Sequence, residues 1–234
     1  MKRVTLELSG KSPNIILDDA DLATAIPMAV NAGSMNNGQA CIAGTRLLVP
    51  EHLLPQVKQI VLETFAGLKV GDPRAETTDI GPLASAKQYE RIQHYIGLGI
   101  KEGAELLCGG LGHPEGLDQG FYVKPTVFCG VSNEMTTARE EIFGPVLSIL
   151  TYQTEQQAIQ IANDTIYGLH AYVSSSSVER ANKVAAQINA GRVAINTLYH
   201  DALAPFGGFK QSGIGREGGI YGLQEQLETK VIIG

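Results

Sequence analysis

The length, composition and charge of the chain exclude several classes of protein. Its 234 residues are 44% hydrophobic and 18% charged, and they include 27 glycines and 10 prolines. This balance is typical of a folded globular protein, because disordered chains contain fewer apolar residues and collagen-like chains far more glycine. The 18 basic and 24 acidic residues give a net charge of −6, which disfavours nucleic acids and anionic membranes as partners.

The cysteines and the apolar runs indicate the cellular environment. The chain has an odd number of cysteines, and they are widely spaced, at Cys41, Cys108 and Cys129. We therefore expect free thiols in a reducing compartment, which indicates a cytoplasmic protein. No CxxC or HxxxH spacing occurs, and we therefore predict no metal site. The longest apolar runs are far shorter than the ~20 residues that cross a bilayer, so we expect no membrane span.

Strand and helix patterns alternate along the chain. Period-two and buried apolar runs predict strands, in chain order, at 4–8, 14–17, 46–49, 105–108, 122–127, 146–151, 171–174 and 192–196. Helical spacing predicts a helix that begins at 22 and is disturbed by Pro27, followed by helices at 53–68, 85–102, 154–163 and 178–189. Strands that alternate with helices indicate parallel βαβ units, and hence an α/β protein with one main domain.

Two residues could form a covalent catalytic pair. Cys41 follows a loop rich in glycine and asparagine, whereas Cys108 and Cys129 resemble core residues. Composition alone favours an inert thiol at Cys41 and a solvent-facing side chain at Glu7, which lies between two leucines. A thiolate and a carboxylate that activates water are, however, the two groups that a covalent acyl-transfer cycle requires. Whether the two side chains meet cannot be read from their spacing.

One glycine motif is not interpreted as a nucleotide site. Residues 213–218 match GxGxxG, but no predicted strand comes directly before them and few residues follow. A dinucleotide fingerprint needs a strand before the motif and a βαβ unit after it.

Several motifs together resemble a known family. LELSGKSP at 6–13, NGQAC at 37–41, EEIFGPV at 140–146 and PFGG at 205–208 are similar, in this order, to successive signatures of the NAD(P)-dependent aldehyde dehydrogenase superfamily. The segments VGDP at 70–73, IGPL at 80–83 and YGL at 167–169 extend the resemblance over essentially the whole chain.

The resemblance implies a reaction and a catalytic pair. Cys41 would be the nucleophile that captures a small aldehyde as a thiohemiacetal and then carries a thioester, with its backbone N–H holding part of the oxyanion. Glu7 would be the general base that activates water to release the carboxylic acid.

The resemblance also implies a cofactor, NAD or NADP, and the residues around it. Glu141 would hydrogen-bond the nicotinamide ribose, and Phe143 would pack against the nicotinamide. Gln88 would lie near the adenosine ribose, and Phe206 would line the substrate tunnel.

The fold implied by the resemblance is an open, twisted, mostly parallel sheet with helices on both faces. Residues 10–210 would form the catalytic thiol domain, and residues 1–9 would be the last strand of a dinucleotide-binding domain that is otherwise missing. Residues 211–226 would return to that domain, and 227–234 would be an oligomerisation strand that joins the sheet of a neighbouring subunit. We therefore expect a homo-oligomer, since an unpaired strand favours association.

Two departures from the family pattern bear on activity. The chain corresponds to roughly the C-terminal half of a family member, so we expect that it does not bind NAD(P) alone and is inactive alone as a dehydrogenase. A residual thiol esterase and a non-catalytic oligomerisation fragment are the alternatives. Ser9 replaces the usual glycine, and we expect it to strain its turn or crowd the cofactor, lowering cofactor affinity or activity.

Overall fold

The computed structural model describes residues 2–234, which contain nine strands and seven α-helices. The strands are β1 (Leu6–Glu7), β2 (Pro13–Ile16), β3 (Arg46–Pro50), β4 (Glu105–Cys108), β5 (Thr126–Cys129), β6 (Val146–Tyr152), β7 (His170–Ser174), β8 (Arg192–Ile195) and β9 (Gly213–Ile214). The helices are α1 (Leu22–Ser34), α2 (Leu54–Gly67), α3 (Ala86–Lys101), α4 (Thr136–Arg139), α5 (Glu155–Asn163), α6 (Val178–Ala185) and α7 (Gly219–Gln224).

Seven strands form one sheet in the order β4-β5-β6-β3-β2-β7-β8. Every neighbouring pair is parallel except β4 and β5, which are antiparallel. Helices α1 and α2 pack on one face, and α3, α5 and α6 pack on the other. The predicted α/β class, with a mostly parallel sheet covered on both faces, is therefore confirmed.

The central strands are apolar on both faces because both faces are covered. Ile15 and Ile16 on β2 are both fully buried and belong to opposite sides of the sheet. On β3, Leu47 packs with α1 and α2, whereas Leu48 packs with the opposite layer. A sheet buried on both faces is built from continuous apolar runs, which is the pattern that these strands carry.

A buried arginine fixes the amino ends of β2 and β3. Arg46 is 0% exposed, and its Nε donates to the Lys11 carbonyl at 3.0 Å. Its terminal nitrogens donate to the carbonyls of Ile161 and Ala162, both at 2.9 Å. Burial, with Arg139 nearby, lowers the pKa of Arg46 to about 10. One guanidinium thus joins β3 to the segment before β2 and to the end of α5.

Two element boundaries differ from the sequence predictions. The strand predicted at 122–127 is β5, which begins only after Pro125, because proline has no N–H to give to a strand ladder. The helix predicted at 178–189 ends at Ala185. Beyond it, the Asn163 side chain bonds the Gln187 carbonyl at 2.8 Å and the Asn189 N–H at 2.7 Å, so these backbone groups are satisfied outside a helix.

Three further predictions need correction. Helix α1 runs through Pro27 without ending, because its buried face packs against the sheet and offsets one lost backbone bond. The strand predicted at 4–8 is only the two-residue β1. Cys108, predicted as a core residue, is half-buried because β4 is an edge strand, whereas Cys129 is buried as predicted.

A small ribbon and the C-terminal segment lie outside the main sheet. Strand β1 pairs with β9, and this close approach needs glycine at Gly213, where a Cβ would lie 1.9 Å from the Leu6 carbonyl oxygen. Residues 227–234 contain no helix or strand within the chain, and Val231, Ile232 and Ile233 are 75–90% exposed.

Residues 2–234 have neither a membrane-spanning helix nor a cluster of metal-ligating side chains. None of the helices combines the length and the apolar character needed to span a bilayer. No group of three or more His, Cys, Asp and Glu side chains in this part of the chain has the arrangement of a metal site.

Candidate active site

The Cys41 loop is held in place by the asparagines that precede it. After α1 the chain turns through residues 35–38, where Asn36 and Asn37 have φ values of 50° and 60°. Asparagine tolerates this left-handed conformation better than most residues. The Asn37 side chain accepts from the Gly81 N–H at 2.8 Å and donates to the Pro82 carbonyl at 3.1 Å. The thiol loop is therefore tied to residues 80–83.

Gly38 brings the same loop against residues 140–146. Its φ is 68°, and a Cβ at this position would lie 2.2 Å from the carbonyl carbon and oxygen of Gly144. Only glycine fits both the conformation and the space. The motifs at 37–41 and 140–146 therefore meet directly, although about a hundred residues separate them in the sequence.

The Cys41 thiol lies in a half-buried position close to two carboxylates. Burial raises its pKa, and so do the negative charges of Glu7 and, more weakly, Glu141. The backbone N–H groups of Cys41 and Ile42 act in the opposite direction and lower this pKa, because an N–H group stabilises a nearby thiolate. Phe206 and Glu217 line both the cavity that contains Cys41 and the pocket that contains Glu7, so the structure brings Cys41 and Glu7 into one site.

Ser9 connects the two carboxylates. Its N–H donates to Glu7 Oε1 at 2.8 Å, and its hydroxyl donates to Glu141 Oε1. Its φ is 61°, in the left-handed region where a side chain costs energy. The backbone at Ser9 therefore has the conformation that suits glycine, as the sequence analysis expected. The Ser9 hydroxyl, however, bonds Glu141, and a glycine could not make this bond.

The segment that carries Glu141 and Phe143 is held from α3. Gln88 Nε2 donates to the carbonyls of Ile142 and Phe143, at 3.0 and 2.7 Å. Arg91, one turn further along the same helix, donates to the Glu141 carbonyl. Phe143 has a φ of 62° and is 36% exposed. Gln88 and Phe143 are thus neighbours, and Phe143 remains partly open to solvent.

Sequence reasoning missed two cations beside Glu141. Burial raises the pKa of Glu141, while the Ser9 hydroxyl, the Gly10 N–H, Lys11 and Arg91 lower it. Lys11 is 2% exposed, and burial together with Arg46 lowers its pKa to about 7. Lys11 belongs to the LELSGKSP motif, and Arg91 lies three residues after Gln88 on the same helical face. Neither residue has a sequence pattern that predicts a contact with Glu141.

Phe206 shares a cavity with Cys41. The cavity has a volume of about 360 Å³, and its walls include Cys41, Ile42, His200, Ala202, Phe206 and Glu217. Phe206 is fixed by backbone bonds with Glu217, at 2.7 and 2.6 Å. His200 and Glu217 were not predicted as site residues, because neither the loop at 197–204 nor the glycine-rich segment at 213–218 has a regular periodicity from which to place its side chains.

Two substitutions separate the strain at Ser9 from its hydrogen bond. Ser9→Ala keeps the left-handed strain and removes the bond to Glu141, so we expect the free energy of unfolding to fall by about 1–2 kcal/mol. Ser9→Gly removes the same bond but relieves a strain of roughly 1 kcal/mol, so it should stay near the wild type. Urea denaturation of both variants is the measurement, and a less stable Ser9→Gly than Ser9→Ala would contradict this account.

The Glu7 carboxylate should set the pH at which Cys41 reacts. An anion beside the thiol opposes thiolate formation, so Glu7→Gln is expected to lower the pKa of Cys41. Alkylation by iodoacetamide, followed by mass spectrometry of the Cys41 peptide, should then reach half its plateau rate at a lower pH. Glu63→Gln, an exposed glutamate on α2, is the matched control and should change nothing. An unchanged midpoint in Glu7→Gln would show that the two groups do not interact.

Comparison with known proteins gives one consistent result. The family model described as "Aldehyde dehydrogenase family" matches residues 1–232. A curated relative, 3-succinoylsemialdehyde-pyridine dehydrogenase of Pseudomonas sp, is 53% identical over 234 residues, which are 100% of this chain and 49% of that protein.

Solved structures agree in fold as well as in sequence. A mutant of aldehyde dehydrogenase C from Pseudomonas syringae, in complex with NAD+ and octanal, matches with a TM-score of 0.96 and 51% identity over 98% of this chain and 47% of that one. An aldehyde dehydrogenase of Mycobacterium tuberculosis complexed with NAD+ matches with a TM-score of 0.92 and 51% identity over 95% of this chain and 46% of that one. The chain spans about half the length of these relatives, and it belongs to the aldehyde dehydrogenase family.

Proposed function

We propose that this chain is the catalytic half of an NAD(P)-dependent aldehyde dehydrogenase that oxidises an aldehyde to a carboxylic acid. One observation carries the proposal: Cys41 lines a cavity of about 360 Å³ with Phe206 and Glu217, and the same two residues line the adjoining pocket that contains Glu7. Membership of the aldehyde dehydrogenase family supports the same reaction class.

Cys41 is the nucleophile in this proposal. Its sulfur adds to the aldehyde carbon, and the carbonyl oxygen takes up the negative charge of the resulting thiohemiacetal. The backbone N–H groups of Cys41 and Ile42, which favour the thiolate, are the donors in this chain that we propose for that oxygen. The thiol is half-buried, and the cavity beside it offers space for the aldehyde.

Glu7 is the general base of the second half of the cycle. Its side chain is exposed, so it can hold a water molecule, and the Ser9 N–H fixes one of its carboxylate oxygens. Glu7 removes a proton from that water, whose oxygen attacks the thioester on Cys41. The carboxylic acid leaves, and the thiol is restored.

The residues at the edge of the site fit a nicotinamide dinucleotide. The Glu141 carboxylate is an acceptor suited to ribose hydroxyls, and the exposed Phe143 ring offers a flat apolar contact. Gln88 Nε2 is already bonded to the backbone at 142 and 143, which leaves its Oε1 for a ribose hydroxyl. A nicotinamide held by these residues would supply the hydride acceptor that the conversion of the Cys41 thiohemiacetal into a thioester requires.

The remaining cofactor contacts are proposed to come from a further part of the protein. The matched relatives are about twice as long as this chain. We propose that residues 1–9 and 211–226 contact such a part, that 10–210 is the catalytic unit, and that residues 1–234 alone do not bind NAD or NADP measurably.

Similar proteins differ in the aldehydes that their names mention. One relative is named for a succinoylsemialdehyde-pyridine, and a solved relative is in complex with octanal. We therefore propose an aldehyde as the substrate class from these names.

A thiol esterase is the second candidate, because Cys41 and Glu7 could form and hydrolyse an acyl-enzyme without a cofactor. A non-catalytic role as an oligomerisation fragment is the third, and it predicts no covalent chemistry at Cys41. The acylation of Cys41 separates the third candidate from the other two.

The test is acylation of the 234-residue chain with p-nitrophenyl acetate. We expect the acetyl group on Cys41, no product in Cys41→Ser, and an acyl-enzyme that persists in Glu7→Gln because water is no longer activated. Cys108→Ser is the matched control and should behave as the wild type.

Added NAD should leave the rate of p-nitrophenyl acetate turnover unchanged and give no heat in titration calorimetry. Acetylation of another residue in place of Cys41 would overturn the assignment of Cys41 as the nucleophile. Micromolar binding of NAD would overturn the proposal that cofactor binding needs a part of the protein outside residues 1–234.

We also propose that residues 227–234 mediate homo-oligomerisation. Val231, Ile232 and Ile233 are largely exposed, and β8 has a strand neighbour on one side only. Light scattering at several concentrations should give a mass above the monomer for the wild type. Ile232→Lys should lower that mass, whereas Val178→Lys, an exposed apolar residue on α6, should not. A monomer at every concentration would contradict the proposal.

A further inference from the structure

A second cavity lies at the carboxyl ends of three neighbouring strands. Its volume is about 220 Å³, and its walls are the first half of α1 and the residues that follow β2, β7 and β8. The Cys41 loop precedes β3 and lies at the amino ends of the strands, so the two sites occupy opposite edges of the sheet. The two cavities share no residue.

The strand order opens a crevice at this edge. From β2 the chain continues through α1 to β3, whereas from the adjacent β7 it continues through α6 to β8. The two connections leave in opposite directions and pack on opposite faces of the sheet. Open α/β sheets bind ligands outside the carboxyl ends of their strands at such a point, and the second cavity lies there.

Ser174, the last residue of β7, presents an unused hydroxyl to this cavity. Side chains alternate along a strand, and Tyr172 packs with Ala32 of α1, so Ser174 faces α1 as well. Asn196 has each end of its amide bonded to the Ser175 backbone. Ser174 is only 2% exposed, and no hydrogen bond joins its hydroxyl to another of residues 2–234. A bound molecule would give this hydroxyl the partner that buried polar groups normally have.

The other hydroxyls of the wall have given their protons to carboxylates. Thr24 donates to Asp21 at 2.7 Å, and the hydroxyls of Ser175 and Ser176 donate to Asp19 at 2.8 and 3.0 Å. A hydroxyl that has donated its proton keeps lone pairs, and a carboxylate has acceptors only. The cavity therefore offers mainly acceptors, and a molecule that binds there has to supply donors.

The charges beside the cavity disfavour an anion. At the start of α1 the Asp21 carboxylate accepts from the Ala23 N–H at 3.2 Å, and before α6 the Asp19 carboxylate accepts from the Ser177 N–H at 3.2 Å. The chain's own carboxylates thus bind the N–H groups that would otherwise attract an anion. Arg180 forms ion pairs with three acidic side chains, so its charge is offset.

We propose that the second cavity binds a small primary alkylammonium ion. An ammonium group has three donors and no acceptor, which suits the oxygens of Ser174, Thr24 and Asp21. A short carbon chain would lie against Ala25 and Met28. The cavity volume equals that of about seven water molecules in the liquid, which is enough for n-butylammonium. This inference does not depend on the proposed oxidation of an aldehyde.

Met28 allows the binding to be observed directly. It lines the second cavity, whereas Met35 and Met135 do not. With methionine methyl groups labelled with ¹³C, n-butylammonium chloride is titrated into the 234-residue chain and followed by NMR. We expect a saturable shift of the Met28 methyl resonance, assigned with Met28→Leu, and unchanged resonances of Met35 and Met135.

Ligands of the same length test the charge. A primary amine stays protonated at neutral pH, as lysine does. We expect n-butanol to bind roughly tenfold more weakly, since hydrogen bonds from a charged donor are about twice as strong as neutral ones. Pentanoate should leave the Met28 resonance unchanged. An equal or tighter affinity for n-butanol or pentanoate would overturn the assignment of an ammonium ligand.

Two substitutions test the contacts. Ser174→Ala removes the unused hydroxyl and should raise the Kd of n-butylammonium roughly fivefold. Asp21→Asn removes the charge but keeps a residue that caps a helix well, and it should raise the Kd about tenfold. Ser132→Ala and Asp118→Asn, at exposed positions outside the cavity, are the matched controls and should leave the Kd unchanged.

The resonances of Met35 and Met135 also report whether each variant is folded, since both residues lie outside the cavity. Absence of a saturable Met28 shift in the wild type would overturn the proposal. An unchanged Kd in a folded Ser174→Ala variant would overturn it as well, because the free hydroxyl would then contact no ligand.

Discussion

The parallel pairing of β2 with β3 is the constraint on which the site depends. The two strands start in register, with Pro13 opposite Arg46, and parallel strands begin at the same edge of a sheet. The segments that precede them, with Gly10 and Cys41, therefore meet: a Cβ on Gly10 would lie 3.6 Å from the Cys41 carbonyl oxygen. The buried guanidinium of Arg46 fixes this edge, since it donates to the Lys11 carbonyl before β2 and to the Ala162 carbonyl of α5.

The chemistry of the site follows from placing three ionisable groups in a small space. Glu7 and Glu141 both act on the Cys41 thiol, and the same residue, Ser9, bonds both carboxylates. Ser9 therefore fixes the two carboxylates relative to each other. Its hydroxyl gives this chain a bond to Glu141 that a glycine could not make.

The sheet and part of the site could be predicted from the sequence, the sheet from local patterns and the site residues from motifs. Continuous apolar strands and helical periodicity predicted the sheet, because both signals are local. Cys41 and Glu7 were found through motifs, and their proximity came only with the folded structure. Arg91 could not be identified from sequence, because its hydrogen bond to the Glu141 carbonyl joins residues 50 positions apart and leaves no trace in spacing.

The strand order also has a consequence for synthesis of the protein on the ribosome. Strand β2 lies between β3 and β7, so its second neighbour is a segment that emerges more than 150 residues later. Tyr172 on β7 donates to the Ile42 carbonyl at 3.0 Å and thereby supports the residue next to the nucleophile. Long-range parallel pairing forms slowly, because a large loop must close first. The Cys41 thiol therefore lacks its folded environment until most of the chain has been synthesised. During that interval it is as accessible to oxidants as any free cysteine.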